Sequence, residues 1–249
     1  MNYHIKRYFF KFKKAIHLLG CKIYRLNLIK GVAASIEHAS IIELLISSDI
    51  KTVIDIGANK GQFSITARKY FPGAHIIAFE PINKPAMKYR SIFKDDSQTR
   101  LVEAAIGPKN EFLEMHISKA VDSSSLLPIG PKQVAIYPGT EETHKETVEV
   151  GPLESFISSS ELNGACLLKI DVQGYELKVL TGCENLINKF NAIYIECSFV
   201  ELYEGQALAH EIINWLHEHD FQLKRIANVS FDKKGLSVQS DFLFLKNTY

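Results

Sequence analysis

Four acidic residues stand at the ends of short apolar runs: Asp55, Glu80, Asp171 and Glu196. A glycine turn follows the first, in Thr52-Val-Ile-Asp-Ile-Gly-Ala-Asn-Lys-Gly-Gln-Phe-Ser-Ile-Thr66. The β-branched opening of this stretch is too short for a helix and reads as a buried strand. Gly57 and Gly61 punctuate the turn, and Phe63 to Tyr70 begins a helix. A strand, a glycine turn and a helix N-terminus gather backbone N–H groups around one ligand. Asn59 replaces the second glycine of G-x-G-x-x-G, and the third would fall at Gln62. The pyrophosphate fingerprint therefore fails, while a nucleoside pocket is still allowed. Glu80 lies 23 residues after Gly57, close to the ~20-residue spacing at which an acid meets ribose hydroxyls. A carboxylate accepts two hydrogen bonds from a vicinal diol, which suits an adenosine-type ligand.

The elements that would position these groups alternate in type. His75 to Glu80 reads as a strand, stopped by Pro81 and followed by a helix from about Lys84 to Phe93. Thr99–Ala105, Ala165–Asp171, Ala192–Glu196, Phe221–Ile226 and Asp241–Lys246 are further strands, with helices after Asp171 and over Ala207–His219. Strands alternating with helices predict an α/β fold with a mostly parallel, doubly wound sheet, in which ligands collect at the carboxyl ends of the strands. Glu111–Ser118 alternates and predicts a strand or hairpin outside that core; Glu146–Val150 predicts another short strand. Residues 120–147 are polar and rich in Ser, Gly and Pro, and read as a lid or acceptor-binding loop. Ser35–Ser48 reads as one short helix closing a side of the pocket.

The chain of 249 residues, 46% hydrophobic and 23% charged, has the composition of one large globular domain. Its net charge of +1 predicts no whole-protein attraction to nucleic acid. Residues 1–36 carry eight Lys or Arg and no acid, which leaves 21 basic and 28 acidic residues over the rest. Within this segment, residues 3–30 predict an amphipathic helix with Ile5, Tyr8, Phe9, Phe12, Ile16, Leu19, Ile23 and Leu26 on one arc. Two roles stay open for it: docking on its own domain, or peripheral contact with an anionic membrane. No run approaches the ~18 apolar residues of a membrane span, and no signal-peptide core is seen. Cys21, Cys166, Cys183 and Cys197 lack metal-ligand or C-x-x-C spacing and read as thiols of a reducing compartment. A cytoplasmic protein is expected, at most peripheral at the inner membrane face.

Three segments carry a resemblance. Val53-Ile-Asp-Ile-Gly-Ala-Asn-Lys-Gly-Gln-Phe63, Phe79-Glu-Pro81 and Lys169-Ile-Asp-Val-Gln-Gly-Tyr-Glu-Leu-Lys-Val-Leu-Thr-Gly182 are similar, in order and spacing, to landmarks of the FkbM family of S-adenosylmethionine-dependent methyltransferases. The likeness covers about residues 50–246. It implies a Rossmann-like seven-stranded sheet of the class I methyltransferases over residues 50–249, its last strand antiparallel, preceded by a basic helical extension, residues 1–49. It also implies S-adenosylmethionine as methyl donor and a hydroxyl of a sugar, glycan or related metabolite as acceptor. Asp55, Gly57, Ala58, Asn59, Gly61 and Phe63 would then surround the methionine part. Glu80, backed by Pro81, would take the ribose hydroxyls, and Ala105 with Ile106 would flank adenine. Asp171 lies where the donor methyl should point and becomes the first candidate for the base or hydroxyl-orienting group. Glu196, on the neighbouring strand, and Glu176, five residues beyond Asp171, are further catalytic candidates; for Glu176, capping of a helix start is the competing role. Ser123-Ser-Ser-Leu126 resembles a serine-bearing stretch at the pocket mouth.

No metal site is expected, since His and Asp ligands are not clustered. His210, His217 and His219 read as surface residues, and His116 and His144 as weak base candidates. Two other classes compete: a nicotinamide-dependent oxidoreductase, which the missing glycines disfavour, and a non-catalytic membrane-surface module built on the basic segment. Nucleic-acid methylation is disfavoured because Asp171-Val-Gln-Gly replaces the Asn/Asp-Pro-Pro-aromatic motif that grips an extruded base.

Overall fold

A computed structural model describes residues 19–247. Among these residues ten strands fall into two sheets. The larger comprises β1 (Ile50–Ile56), β2 (His75–Phe79), β3 (Thr99–Val102), β7 (Ala165–Ile170), β8 (Ala192–Ser198), β9 (Phe221–Phe231) and β10 (Ser237–Lys246). Its order is β3-β2-β1-β7-β8-β10-β9, with β10 antiparallel to both neighbours. The sheet is seven-stranded and mostly parallel, as the resemblance implies. A smaller sheet, in the order β4-β6-β5, pairs β4 (Ala105–Ile106), β6 (Glu142–Gly151) and β5 (Glu111–Ser118).

The period of two along each central strand divides the core into layers. Val53, Leu167, Tyr194 and Leu243 face one side, against Ile41 and Ile42 of α2 (Ala39–Ile42) and Phe63 and Ala67 of α3 (Gln62–Tyr70). Ile54, Leu168, Ile193 and Phe244 face the other, against Val179 and Leu180 of α6 (Glu176–Gly182) and Ile212 and Leu216 of α7 (Ala209–Glu218). The remaining α-helices among the described residues are α1 (Lys22–Ile29), α4 (Asn83–Phe93) and α5 (Pro131–Ile136).

Several elements differ from expectation. Ser35–Ser48 is not one helix but three pieces, α2 flanked by 3-10 turns at Ile36–His38 and Glu43–Ser48, ending at Asp49 with φ 48°. Ile41, Ile42 and Leu45 are fully buried there, so the division at residue 49 separates elements and not cores. Residues 120–147 are partly regular: α5 interrupts them and β6 begins at Glu142, four residues early. The extra residues pair with β5 in a largely exposed ribbon, where no apolar face forces an alternating pattern. β9 runs to Phe231 for the same reason, its outer half being an exposed edge. Asp55 and Glu196 do not end their strands: Ile56 follows the first, and β8 continues to Ser198 past the second.

Of the basic amphipathic segment, residues 3–18 lie outside the described residues. The described part docks α1 on the domain through fully buried Tyr24, which joins Val32, Ala34, Ile65 and Ile92. Trp215 is half-buried against the core and stacks on His219, while His210 and His217 are exposed.

Close backbone approach sets where α6 lies beneath the turn after β4. A Cβ on Gly182 would stand 2.4 Å from the Gly107 carbonyl oxygen, with backbone and not a flexible side chain in the way. Gly182→Ala should therefore cost about 1–3 kcal/mol of unfolding free energy, read by urea denaturation; an unchanged midpoint would show that the turn yields freely.

Candidate active site

A cavity of about 630 Å³ opens at the carboxyl ends of β1, β2 and β7, within the range of small-molecule sites. Gly57, Ala58, Asn59 and Phe63 line one wall, and Glu80, Pro81, Ile82, Ala105 and Ile106 another. Asp171, Val172, Gln173 and Tyr175 form the floor, and Ser123, Ser124, Gln133, Tyr137 and Thr140 the rim above the smaller sheet. The extension adds Ser35, Glu37 and His38.

The β1 turn is shaped by contact with β7. A Cβ on Gly57 would fall 1.9 Å from the Asp171 carbonyl oxygen, and its φ of +76° suits glycine. Asn59 also has a left-handed backbone, φ 49°. Its N–H donates to Glu80 Oε2 at 2.8 Å, and the Ile82 N–H donates to Oε1 at 2.9 Å. These two bonds hold the Glu80 carboxyl at the cavity wall. Burial pushes its pKa up to about 7 against those hydrogen bonds.

Lys169 was not singled out in the sequence, although a lysine two residues before Asp171 in an otherwise apolar strand was a readable signal. Its ammonium lies 3.1 Å from Asp55 Oδ1 and 3.8 Å from Asp171 Oδ2, and donates to the Gly57 carbonyl at 2.9 Å. Burial alone would pull Lys169 down, but the Asp55 and Asp171 carboxylates overcome it and hold the ammonium above its ordinary range. Asp55 is completely buried; Ser64 Oγ donates to its Oδ2 at 2.6 Å.

Four expectations therefore change. Asp55 does not line the cavity, because its side chain turns into the sheet toward Lys169 and Ser64. Gly61 does not line it either; it caps α3 with φ 93° against Phe93 and Tyr89. Glu176 accepts the N–H groups of Val172 and Gly174, and burial raises its pKa to about 7, so it braces the loop after β7. Glu196 sits behind the cavity, accepting from Gln173 Nε2 at 3.0 Å and Gln239 Nε2 at 2.6 Å. Burial first, then Asp171 and Asp241, drive its pKa well above the ordinary carboxylate range.

Asp171 does face the cavity. Gln173 Nε2 donates to its Oδ1 at 2.8 Å, while Gln173 Oε1 accepts from Tyr203 Oη at 3.0 Å. The same tyrosine reaches the Ser123 carbonyl at 3.0 Å, which ties the rim to the floor. Two buried oxygens lining the cavity, Asn59 Oδ1 and Gln133 Oε1, have no protein donor. Among the described residues there is no cluster of three His, Cys, Asp or Glu that could hold a metal ion. His116 pairs with Glu142, and exposed His144 with Glu146.

Replacing Lys169 by Met should leave Asp55 as an uncompensated buried charge and cost about 3–5 kcal/mol. Adding Asp55→Asn should recover most of that loss in urea denaturation; additive losses would mean that the two groups are not coupled.

Residues 55–223 match the family model "Methyltransferase FkbM domain". The chain is 30% identical over 185 residues to the 2-O-methyltransferase NoeI of Sinorhizobium fredii, covering 72% of this chain and 76% of that protein. It is 25% identical over 149 residues to Methyltransferase 1 of Beauveria bassiana, covering 55% of this chain and 60% of that one. The crystal structure of methyltransferase FkbM from Methylobacillus flagellatus aligns at 14% identity with a TM-score of 0.49, over 78% of this chain and 44% of that one. With its family domain filling most of the sheet and its glycine turn opening on a cavity, this chain belongs to the FkbM methyltransferase family.

Proposed function

We propose that this methyltransferase uses S-adenosylmethionine and methylates a hydroxyl of a sugar or glycan. Glu80 carries the donor assignment: two backbone N–H groups hold a buried carboxyl at the cavity wall, where unused lone pairs can accept a ribose diol. Gly57 leaves room for no side chain on the β1 turn, and Asn59 Oδ1 is a buried acceptor suited to a ligand amino group. Ile82, Ala105 and Ile106 offer an apolar slot for a purine. When bound, the donor supplies an electrophilic methyl on a sulfonium whose departure needs no proton. The chain's part is to orient the acceptor oxygen, exclude water and receive one proton. Asp171, held by Gln173, is placed to orient the hydroxyl.

The rim supports the acceptor class. Ser123, Ser124, Gln133, Tyr137, Thr140 and Gln239 are neutral hydrogen-bonding groups, and no arginine among the described residues lines the cavity. Such a lining suits a polyhydroxylated acceptor better than a phosphate or carboxylate. A relative named a 2-O-methyltransferase supports transfer to an oxygen.

The basic segment fits peripheral membrane contact as well as docking. Leu26 and Ile29 of α1 are exposed beside Lys22, Arg25 and Lys30, a surface suited to anionic lipid. No helix among the described residues is long and apolar enough to cross a membrane. Anionic phospholipid vesicles should pellet the full chain and not a chain lacking residues 1–30; equal pelleting would remove the lipid contact.

The donor assignment has a pH signature. Free Glu80 gains a proton as pH falls through about 7, and a ribose diol donates best to the ionised form. Affinity for S-adenosylmethionine should rise from pH 6 to pH 8 in isothermal titration, with proton release near pH 6.5. Glu80→Gln should flatten that rise, and Glu80→Ala should weaken binding by about 1–3 kcal/mol. Unchanged affinity in Glu80→Ala would overturn the ribose assignment. The acceptor is tested by incubating the enzyme with methyl-labelled donor and an extract of the source cells, then identifying the labelled product by mass spectrometry. Label recovered on a base or a protein side chain would overturn the sugar reading.

A further inference from the structure

The cavity has one wall that the matched family domain does not supply. It comes from the 3-10 turn Ile36–His38, ahead of residue 55, and is braced by Asp241 of β10, beyond residue 223. His38 lines the cavity. Its ring meets Phe63 edge-on at 5.8 Å and Tyr194 at 5.4 Å, and its side chain is 16% exposed. Three backbone ties fix the turn that carries it. Ser35 N–H donates to the Gln62 carbonyl, Thr66 Oγ1 to the Ser35 carbonyl, and Asn228 Nδ2 to the Glu37 carbonyl.

The hydrogens around this ring can be assigned by accounting. Tyr194 has one hydroxyl hydrogen, and its oxygen lies 2.7 Å from Asp241 Oδ2, which also accepts Asn228 Nδ2 at 2.7 Å. A carboxylate has no hydrogen to return, so the tyrosine donates to it. His38 Nδ1 stands 2.5 Å from the same tyrosine oxygen and 3.3 Å from Asp241 Oδ2. With the tyrosine hydrogen spent, Nδ1 must be the donor. A neutral ring protonated at Nδ1 carries its lone pair on Nε2, which makes no hydrogen bond among the described residues. The competing base is otherwise committed: Asp171 Oδ1 accepts Gln173, and Oδ2 faces the Lys169 ammonium.

We propose that His38 Nε2 is the base that receives the acceptor hydroxyl proton, with Asp241 and Tyr194 as positioning residues; this rests on the methyl-transfer reading above. As the acceptor oxygen forms its bond to the methyl carbon, the S–CH₃ bond breaks with its electron pair left on sulfur. The hydroxyl proton passes to Nε2. One positive charge thus moves from sulfonium to imidazolium, and the proton then leaves to solvent. Asp241, 8% exposed, faces the ring on its far side, as the acid of a Ser-His-Asp triad faces its histidine. Burial would raise the Asp241 pKa, but the bonds from His38, Asn228 and Tyr194 outweigh it and hold the carboxyl below its ordinary range. It therefore stays ionised to stabilise the imidazolium. Among the described residues, the other charged or titratable groups around the ring and its partners are Glu37 on its own turn, Tyr194 on β8, Lys169 of β7, 5.7 Å from the Phe63 ring, Asp171, whose charge acts on Tyr194, and Glu196, which pairs in register with Asp241.

The test uses the full chain and two independent readouts. In ¹⁵N-histidine NMR, with His38 assigned by its loss in His38→Gln, the wild type should show the Nδ1–H tautomer, and Asp241→Asn should shift it toward Nε2–H. A wild-type Nε2–H tautomer would overturn the proposal without any acceptor being known. In labelled-methyl transfer into the source-cell extract, His38→Gln should slow turnover about 100-fold or more, with S-adenosylmethionine affinity within about threefold of wild type. The wild-type rate should fall as pH drops and the imidazole protonates, and the residual His38→Gln rate should lack that limb. Asp241→Asn should displace the limb, which a purely structural role would not do. Full turnover in His38→Gln would overturn the proposal while leaving the donor reading intact. Failure of the wild type to bind S-adenosylmethionine would instead refute the donor reading.

Discussion

One buried ammonium holds the active end of the sheet together. Lys169 stands between Asp55 and Asp171 and donates to the Gly57 carbonyl, so one cation joins the β1 turn to the strand that delivers the floor of the cavity. Without it, the fully buried Asp55 would face an apolar layer, where an unpaired carboxylate costs several kcal/mol. The arrangement follows from strand register. Asp55 pairs with Lys169 across β1 and β7, and Lys169 with Tyr194 across β7 and β8. The face that carries Val53, Leu167 and Leu243 toward the helices thus becomes a polar row one step nearer the cavity.

A second layer of acids depends on that row. Asp171 and Glu196 lie beyond Lys169 and Tyr194, and Glu196 pairs in register with Asp241. Three carboxyl groups so close cannot all ionise cheaply in a buried setting. The fold separates their states by their partners. Asp241 has His38, Asn228 and Tyr194 and is held below the ordinary carboxylate range, whereas Glu196 has only two glutamine amides and is driven well above it. Gln173 then connects the two behaviours, bonding Glu196 on one side and Asp171 on the other. Its φ of 57° is the local strain accepted to place that amide.

Much of this was legible before any coordinates. The β-branched run before Gly57, the break after Glu80 and the run from Ala165 each predicted a strand that exists, because buried central strands must be continuous and apolar. Glu80 was legible from its spacing, and its hydrogen bond to the Asn59 N–H bears out the nearness that spacing implied. What was not legible were contacts set by tertiary register. Nothing local distinguishes Asp55, turned inward to Lys169, from Glu80, turned toward the cavity; both follow apolar runs. His38 escaped notice because a histidine in a short helix usually lies on the surface, and its partners are 156 and 203 positions away in the chain. Glu176 was ambiguous between stabilising a helix start and catalysis, and its bonds from the Val172 and Gly174 N–H groups show it bracing the loop ahead of the helix.

The raised carboxyl groups tie stability to ligand. Glu80 and Glu176 both titrate near 7 in the fold, above the ordinary 4.5. A group whose folded pKa is raised contributes stability that is complete below the unfolded value and lost as pH rises through the folded one. Between about pH 4.5 and 7 the folded chain therefore holds protons that the unfolded chain has released, and above 7 it bears two buried charges. Asp241 works in the opposite sense: its stabilisation is present above the unfolded value and lost only as pH falls through its lowered one. At neutral pH ionised Glu80 thus carries a burial cost that hydroxyl donors from a bound ligand would offset, whereas Glu176 keeps its cost because its partners are already backbone N–H groups. The acid facing the cavity is the one whose ionisation a ligand can reward.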